Sequence, residues 1–269
     1  MIAVRVSAAL AALMIASAPV SAACQPQAGS LVDIYPTAAT LPENLLRMYV
    51  YFPHAMAADE GVQSVRLLGQ DGTPIDDVFL VSRQELWSPD RRRLTLLLNP
   101  GRVKSGLAAH NALGRALVPG QSYTLEVPAD MEAANGCELG TSARYSFSVI
   151  DADLETPDPE AWTFAAPAAG TKEPVQLDLG SSHDHLSLAY RLRVFDQTAS
   201  VVPGSIDLGP GERSWSFTPA QPWRAVPYEL IVDERLEDLA GNRPGVLFDR
   251  PLDGGDPQPS TTSLSFAPR

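Results

Sequence analysis

The sequence predicts an all-β protein made of two tandem copies of one sandwich module, and three observations carry that prediction. Apolar residues alternate over short runs, as in Tyr228, Leu230 and Val232 or Tyr123, Leu125 and Val127, which is strand periodicity. The same design occurs twice. Leu94, Leu96 and Leu98 run to Pro100 ahead of the Tyr123 strand, and Trp215 and Phe217 run to Pro219 ahead of the Tyr228 strand. Each copy then closes an acidic loop with a pair that tolerates positive φ, Asn135-Gly136 in the first and Gly241-Asn242 in the second. Finally, 24 prolines and 19 glycines with few long helical patterns argue for many short strands and turns.

In chain order, residues 25–30 form a polar lead and residues 31–35 a first strand closed by Pro36. Met48, Val50 and Phe52 face one way and Tyr49 and Tyr51 the other. Both faces are apolar, so this strand is expected at the centre of a sheet. A short helical turn through Glu60 follows, then a strand at Val65, Leu67 and Leu68, and a turn at residues 70–74. Val78, Leu80, Leu86 and Trp87 are expected in edge strands. Residues 101–121 are an insertion with no counterpart in the second copy, where only residues 220–226 fill the gap. It carries Arg102, Lys104, His110, Asn111 and Arg115, and is expected to be a surface loop.

Tyr145, Phe147 and Val149 close the first module, residues 24–150. Residues 151–159 are acidic and proline-containing and read as a semi-rigid linker. The second module, residues 160–269, opens at Trp162 and Phe164 and continues with a strand at Val175, Leu177 and Leu179. Alternation of Leu188, Tyr190, Leu192 and Val194 predicts another strand. Residues 251–259 are irregular, and Thr262–Phe266 form a last strand through Leu264 and Phe266.

Residues 1–23 read as a cleaved secretory signal: Arg5, an apolar run from Val6 to Ala18, and the small residues Ser21, Ala22 and Ala23. The run is short for a membrane span. Cleavage would remove one base and no acid, taking the formal charge from −12 to −13. So acidic a chain repels nucleic acid and anionic lipid. Export makes a disulfide the expectation for the two cysteines, Cys24 and Cys137. The alternative is a lipoprotein anchored through Cys24, whose upstream Ser21 stands where a lipobox carries a large aliphatic residue.

The second copy resembles the bacterial immunoglobulin-like domains of S-layer and other surface proteins. The residues that carry this are the opening at 162–170, the strand Tyr228–Val232 and Asp238-Leu239-Ala240-Gly241-Asn242. The first copy looks like a diverged member. The resemblance implies two tandem immunoglobulin-like β-sandwich domains. It supplies no catalytic residues, because such modules serve as spacers, adhesins and enzyme accessories.

The sharpest constellation is His183-Asp184-His185. On a strand its two histidines would share a face, a spacing that can bind copper or zinc. No third ligand is identifiable, and a solvated loop with incidental histidines is the preferred reading. Ser181, His183 and Asp184 are too close in sequence to converge as a hydrolase triad. The acids Asp233, Glu234, Glu237 and Asp238 lack calcium-loop spacing and read as a charged turn. Trp87, Trp215 and Trp223 could stack on sugar rings, although Trp215 alternates with Phe217 and reads as core. Glu85 is the acid considered for an enzymatic role. These features predict a non-enzymatic exported protein, periplasmic or secreted, a binding or structural element of the cell envelope. No cofactor, catalytic residue, metal or concave pocket is expected. Its partner would be an envelope or extracellular protein or glycan. The alternative is a sugar- or metal-binding accessory protein using exposed tryptophans or the His183/His185 pair.

Overall fold

The structure is a computed structural model that describes residues 32–57, 61–82, 85–104, 114–249 and 261–269. The first module packs two sheets. One has the order β1-β3-β5, from β1 (Asp33–Tyr35), β3 (Arg47–Tyr51) and β5 (Arg93–Leu97). The other has the order β2-β7-β6-β4, from β2 (Thr40–Pro42), β4 (Arg66–Leu68), β6 (Ser122–Val127) and β7 (Ala143–Ile150). Pairing is antiparallel except for β2, which runs parallel to β7.

The second module repeats the plan. One sheet is β8-β9-β12-β11, from β8 (Thr163–Ala165), β9 (Val175–Asp178), β11 (Gly204–Leu208) and β12 (Ser214–Pro219). The other is β10-β13-β14, from β10 (Leu192–Phe195), β13 (Tyr228–Val232) and β14 (Thr262–Phe266). Named by order of appearance, the second module reads A-B-E-D on one sheet and C-F-G on the other. That is the strand order of an immunoglobulin-like sandwich. The first reads A-B-E and C-F-G, with β2 as an extra strand beside G. The protein is therefore an all-β sandwich in both halves.

Alternation explains the two cores. Met48, Val50, Leu94 and Leu96 from one sheet meet Leu67, Leu125, Val127, Phe147 and Val149 from the other, all buried. In the second module Val175, Leu177, Trp215 and Phe217 face Leu192, Val194, Leu230, Val232 and Phe266. Trp215 and Phe217, two apart on β12, lie with rings nearly parallel, 5.9 Å between centroids. Each such large apolar side chain contributes about 1.5–3 kcal/mol on burial.

Three local expectations need correction. The segment predicted as a strand from Leu188 to Val194 begins as a helix, α3 (His185–Arg191), and becomes strand only at Leu192. Asp184 is its N-cap: Oδ1 accepts the Ser187 N–H at 2.8 Å, which starts a turn that alternation alone does not reveal. The described residues between Val78 and Trp87 form no regular edge strand. Among them only isolated bridges pair with the β5 region, Phe79 with Leu98 and Trp87 with Leu94. The insertion begins with the short helix α2 (Pro100–Val103), capped by Asn99, and Arg102 and Arg115 donate to backbone carbonyls around it. Residues 105–113, with His110 and Asn111, lie outside the described residues, as do residues 1–31 with Cys24, and residues 58–60 and 250–260. No helix among the described residues is long and apolar enough to cross a membrane.

The connecting segment is tied to both sandwiches, and the two sandwiches also touch directly. Asn44 and Asp153 exchange a pair of hydrogen bonds at 2.9 Å each, and the Asn242 amide donates to the Asp153 and Glu155 carbonyls. Leu239 of the second module lies in the first module's core, and its carbonyl accepts the Leu46 N–H at 2.9 Å. Gly241 (φ +80°) turns the chain beneath that contact, where an added Cβ would stand 2.6 Å from Leu46 Cδ2. Gly241→Ala combines left-handed strain with that clash, and is expected to cost about 2 kcal/mol, read as a lower urea midpoint at unchanged slope.

Candidate functional site: an arginine-lined cleft between the modules

The cleft grows from the face of β3 that does not look into the first core. Met48 and Val50 point inward, so Tyr49 and Tyr51 must point outward. They meet the second module, which is why both faces of β3 are apolar or aromatic. Tyr49 is buried, and its hydroxyl donates to Asp184 Oδ2 at 2.7 Å. Burial, reinforced by the Asp184 charge, holds the Tyr49 phenol well above its ordinary range. Arg47 at the start of β3 places Nε 3.6 Å from Asp184 Oδ2 and bonds Glu237 through Nη2. Burial raises the Asp184 carboxyl, while Arg47, the Tyr49 hydroxyl and the Ser187 N–H oppose that shift. Beside this network Tyr35 lies against the His185 ring at 3.7 Å between centroids, with Tyr51 edge-on to both. A further clamp joins the turn after β1 to the turn before β12. The Thr37 N–H and hydroxyl donate to the buried Glu212 carboxylate, and the Gly211 N–H donates back to the Thr37 hydroxyl at 2.8 Å.

Above this floor opens a cleft of about 810 Å³. The first module lines it with Arg47, Arg92 and Arg93, and with the Ser88–Asp90 turn. The second contributes Arg191 at the end of α3, Arg193 on β10, and Arg235 and Arg243 around the loop after β13. Tyr190 projects from α3 at its rim, 59% exposed. A concave site between the modules was not expected from the sequence. Its residues run from position 47 to 243 and come together only when the sandwiches pack. The single local signal is the run Arg91-Arg92-Arg93 in an acidic chain.

The residues singled out from sequence lie elsewhere or are already engaged. The solvated-loop reading of the His183 segment is corrected: His183 is fully buried and Asp184 nearly so. His183 pairs backbone with Asp238 and packs edge-on against Trp162. Its Nδ1 lies 3.1 Å from the Ser181 carbonyl, which can only accept, so Nδ1 carries the proton and Nε2 is left without a hydrogen-bond partner. Burial pushes the ring pKa down to about 4. His185 opens a helix and turns to Tyr35, with Nδ1 3.7 Å from Glu212, so the two histidines do not share a strand face. No group of three potential metal ligands occurs among the described residues.

The tryptophans offer no sugar platform. Trp215 and Trp223 are core, and the Trp223 Nε1–H donates to the Glu173 carbonyl. Trp87 packs on Phe52 and donates to Glu85. Glu85 also accepts the Gly61 and Val62 N–H groups at the start of α1 (Gly61–Ser64), which makes it a helix cap. Of the acidic turn, Glu237 takes Arg47 and Arg243. Asp238 accepts the Ala240 and Asn242 N–H groups and the Asn242 amide. Burial, helped by Asp153, pushes Asp238 up to about 7.

No protein-family model matches the chain, and no curated protein matches it. Among solved structures it is similar to native alpha-2-macroglobulin of Escherichia coli in a chain spanning domains MG0-NIE-MG1, at 14% identity over 89% of this chain and 72% of that one, with a TM-score of 0.27. It is similar also to a chimeric titin Z1Z2, at 10% identity over 77% and 91%, with a TM-score of 0.24. Overlays at those scores carry no argument about function.

Proposed function

We propose that this chain is an exported, non-catalytic protein of the cell envelope, in which two immunoglobulin-like modules form one rigid binding or structural element. The observation that carries the non-catalytic part is the state of the cleft's own carboxylates. Asp90 is bonded to the Ser88 hydroxyl and the Arg92 N–H, Asp184 to Tyr49 and Ser187, and Glu237 to Arg47 and Arg243. A general base must be able to reach a substrate proton; Asp184 and Glu237 are committed to holding the modules together, and Asp90 orders an exposed turn through its own neighbours. The signal-like residues 1–23 and the resemblance to modules of bacterial surface proteins support export to the envelope.

Fractionation of a Gram-negative host expressing the full chain tests that part. A periplasmic or secreted product beginning at Cys24, without a lipid adduct by mass spectrometry, is expected. A full-length cytoplasmic product would overturn it. The proposed Cys24–Cys137 disulfide is read from the same material. Denatured, unreduced protein should titrate no free thiol, and two thiols per chain would remove the disulfide.

A further inference from the structure

The charge in the cleft runs against the charge of the molecule. Seven arginines line it against three lining acids, Asp90, Asp184 and Glu237, and a fourth acid, Asp233, pairs with two of the arginines, a formal surplus of three. The chain as a whole carries −12, so everything else carries −15. The arginines fall into three groups. Arg47 and Arg243 share Glu237, and Arg47 also faces Asp184 at 3.6 Å, so this pair is neutralised. Arg191 and Arg235 share Asp233, at 3.5 and 3.9 Å. Arg92, Arg93 and Arg193 have no ion pair among the described residues. Arg93 is half-buried beside Tyr51, and its Nε is buried without any hydrogen-bond acceptor. Arg92 and Arg193 are exposed and Arg93 is half-buried, so holding the three around one concavity costs repulsion, and for Arg93 desolvation as well, both relieved by an anion placed between them.

We propose that this cleft is a binding site for a small oligoanion, a ligand presenting two or more phosphate, sulfate or carboxylate groups to Arg93 of the first module and Arg193 of the second. The proposal deepens the binding reading above, and rests on it only in taking the cleft to be non-catalytic. Guanidinium forks match the paired oxygens of all three groups. The volume lies within the usual range for small-molecule sites, roughly 300–1,000 Å³. The strongly negative remainder repels a long polyanion or an extended anionic surface, which favours a small ligand over nucleic acid or a membrane. Tyr190 at the rim offers a ring face against which the ligand's uncharged body can pack.

Calorimetric titration of the full mature chain with inorganic pyrophosphate, with citrate and with orthophosphate at low salt tests the site. Saturable binding of one pyrophosphate or citrate per chain is expected. Affinity should fall at least tenfold in Arg93→Gln/Arg193→Gln, and at least threefold in Arg193→Gln alone, with thermal unfolding confirming that both variants are folded. Arg66→Gln, remote from the cleft, should bind as the wild type. Absence of saturable binding with all three probes, or equal binding by the double variant, overturns the proposal. So does an arginine-dependent association with phosphatidylglycerol vesicles in the absence of free-anion binding, which would make a lipid surface the partner. Recovery of orthophosphate from the pyrophosphate titration would instead overturn the non-catalytic reading while leaving the site intact. A cytoplasmic location would overturn export alone.

Discussion

Replacing Asp184 by alanine is expected to lower the unfolding free energy by about 3–5 kcal/mol, the range for breaking a buried ion pair by removing one partner. Three interactions end on that carboxylate. It caps α3 through the Ser187 N–H, accepts the Tyr49 hydroxyl at 2.7 Å and faces Arg47 Nε at 3.6 Å. Its loss leaves a buried phenol without an acceptor and Arg47 without one of its two counter-charges. Tyr49→Phe removes one bond and leaves the cap and the arginine, so about 1–2 kcal/mol is expected. Asp184→Asn keeps an oxygen for the cap but removes the charge, and falls between the two. Urea unfolding of the three variants gives the ranking. An Asp184→Ala loss below about 1 kcal/mol would show that the modules do not depend on this network.

The second large effect is on the pH dependence of stability. His183 is held near pKa 4 in the folded chain, below its ordinary 6.5, so the unfolded chain alone takes up its proton between those values. Its contribution is complete above pH 6.5 and is lost as the pH falls toward 4. Asp238 is held near 7, above its ordinary 3.8, so the folded chain keeps a proton that the unfolded chain gives up. That contribution is complete below 3.8 and is lost as the pH rises toward 7. The two slopes oppose one another over nearly the same window. His183→Phe keeps a ring against Trp162 and removes the titration, leaving the Asp238 slope uncompensated. Relative to the wild type, the variant should gain roughly 3 kcal/mol between pH 6.5 and pH 4, at 1.36 kcal/mol per pKa unit. Urea midpoints at intervals across that range read the difference directly, and parallel curves would mean that His183 is not held neutral.

The strands that alternation identified formed because period-two patterning is a local property. Leu94 and Leu96, Trp215 and Phe217, Tyr228 to Val232 and Thr262 to Phe266 each need only the facing sheet of their own module to bury one face. Tyr49 and Tyr51 were legible as buried, but not what buried them, because the covering surface is the other module. The helix α3 was hidden for a different reason. Leu188 and Leu192 satisfy both a strand period and a one-turn helical spacing, and the deciding residue is the cap at Asp184. The arginine cleft was least legible of all. On an isolated strand Arg93 or Arg193 is an ordinary polar residue on an outer face, and only packing of the second sandwich turns those faces into the walls of one cavity.

The clamps at Thr37–Glu212 and Leu46–Leu239 also have a mechanical meaning. Domains strung on a slack tether lengthen first by straightening the tether, at forces that leave each domain folded. Here separating the two domains breaks the Thr37–Glu212 hydrogen bonds and withdraws Leu239 from the first core before the tether can lengthen. The chain would carry tension as a stiff bracket with a high yield point and little extension before it.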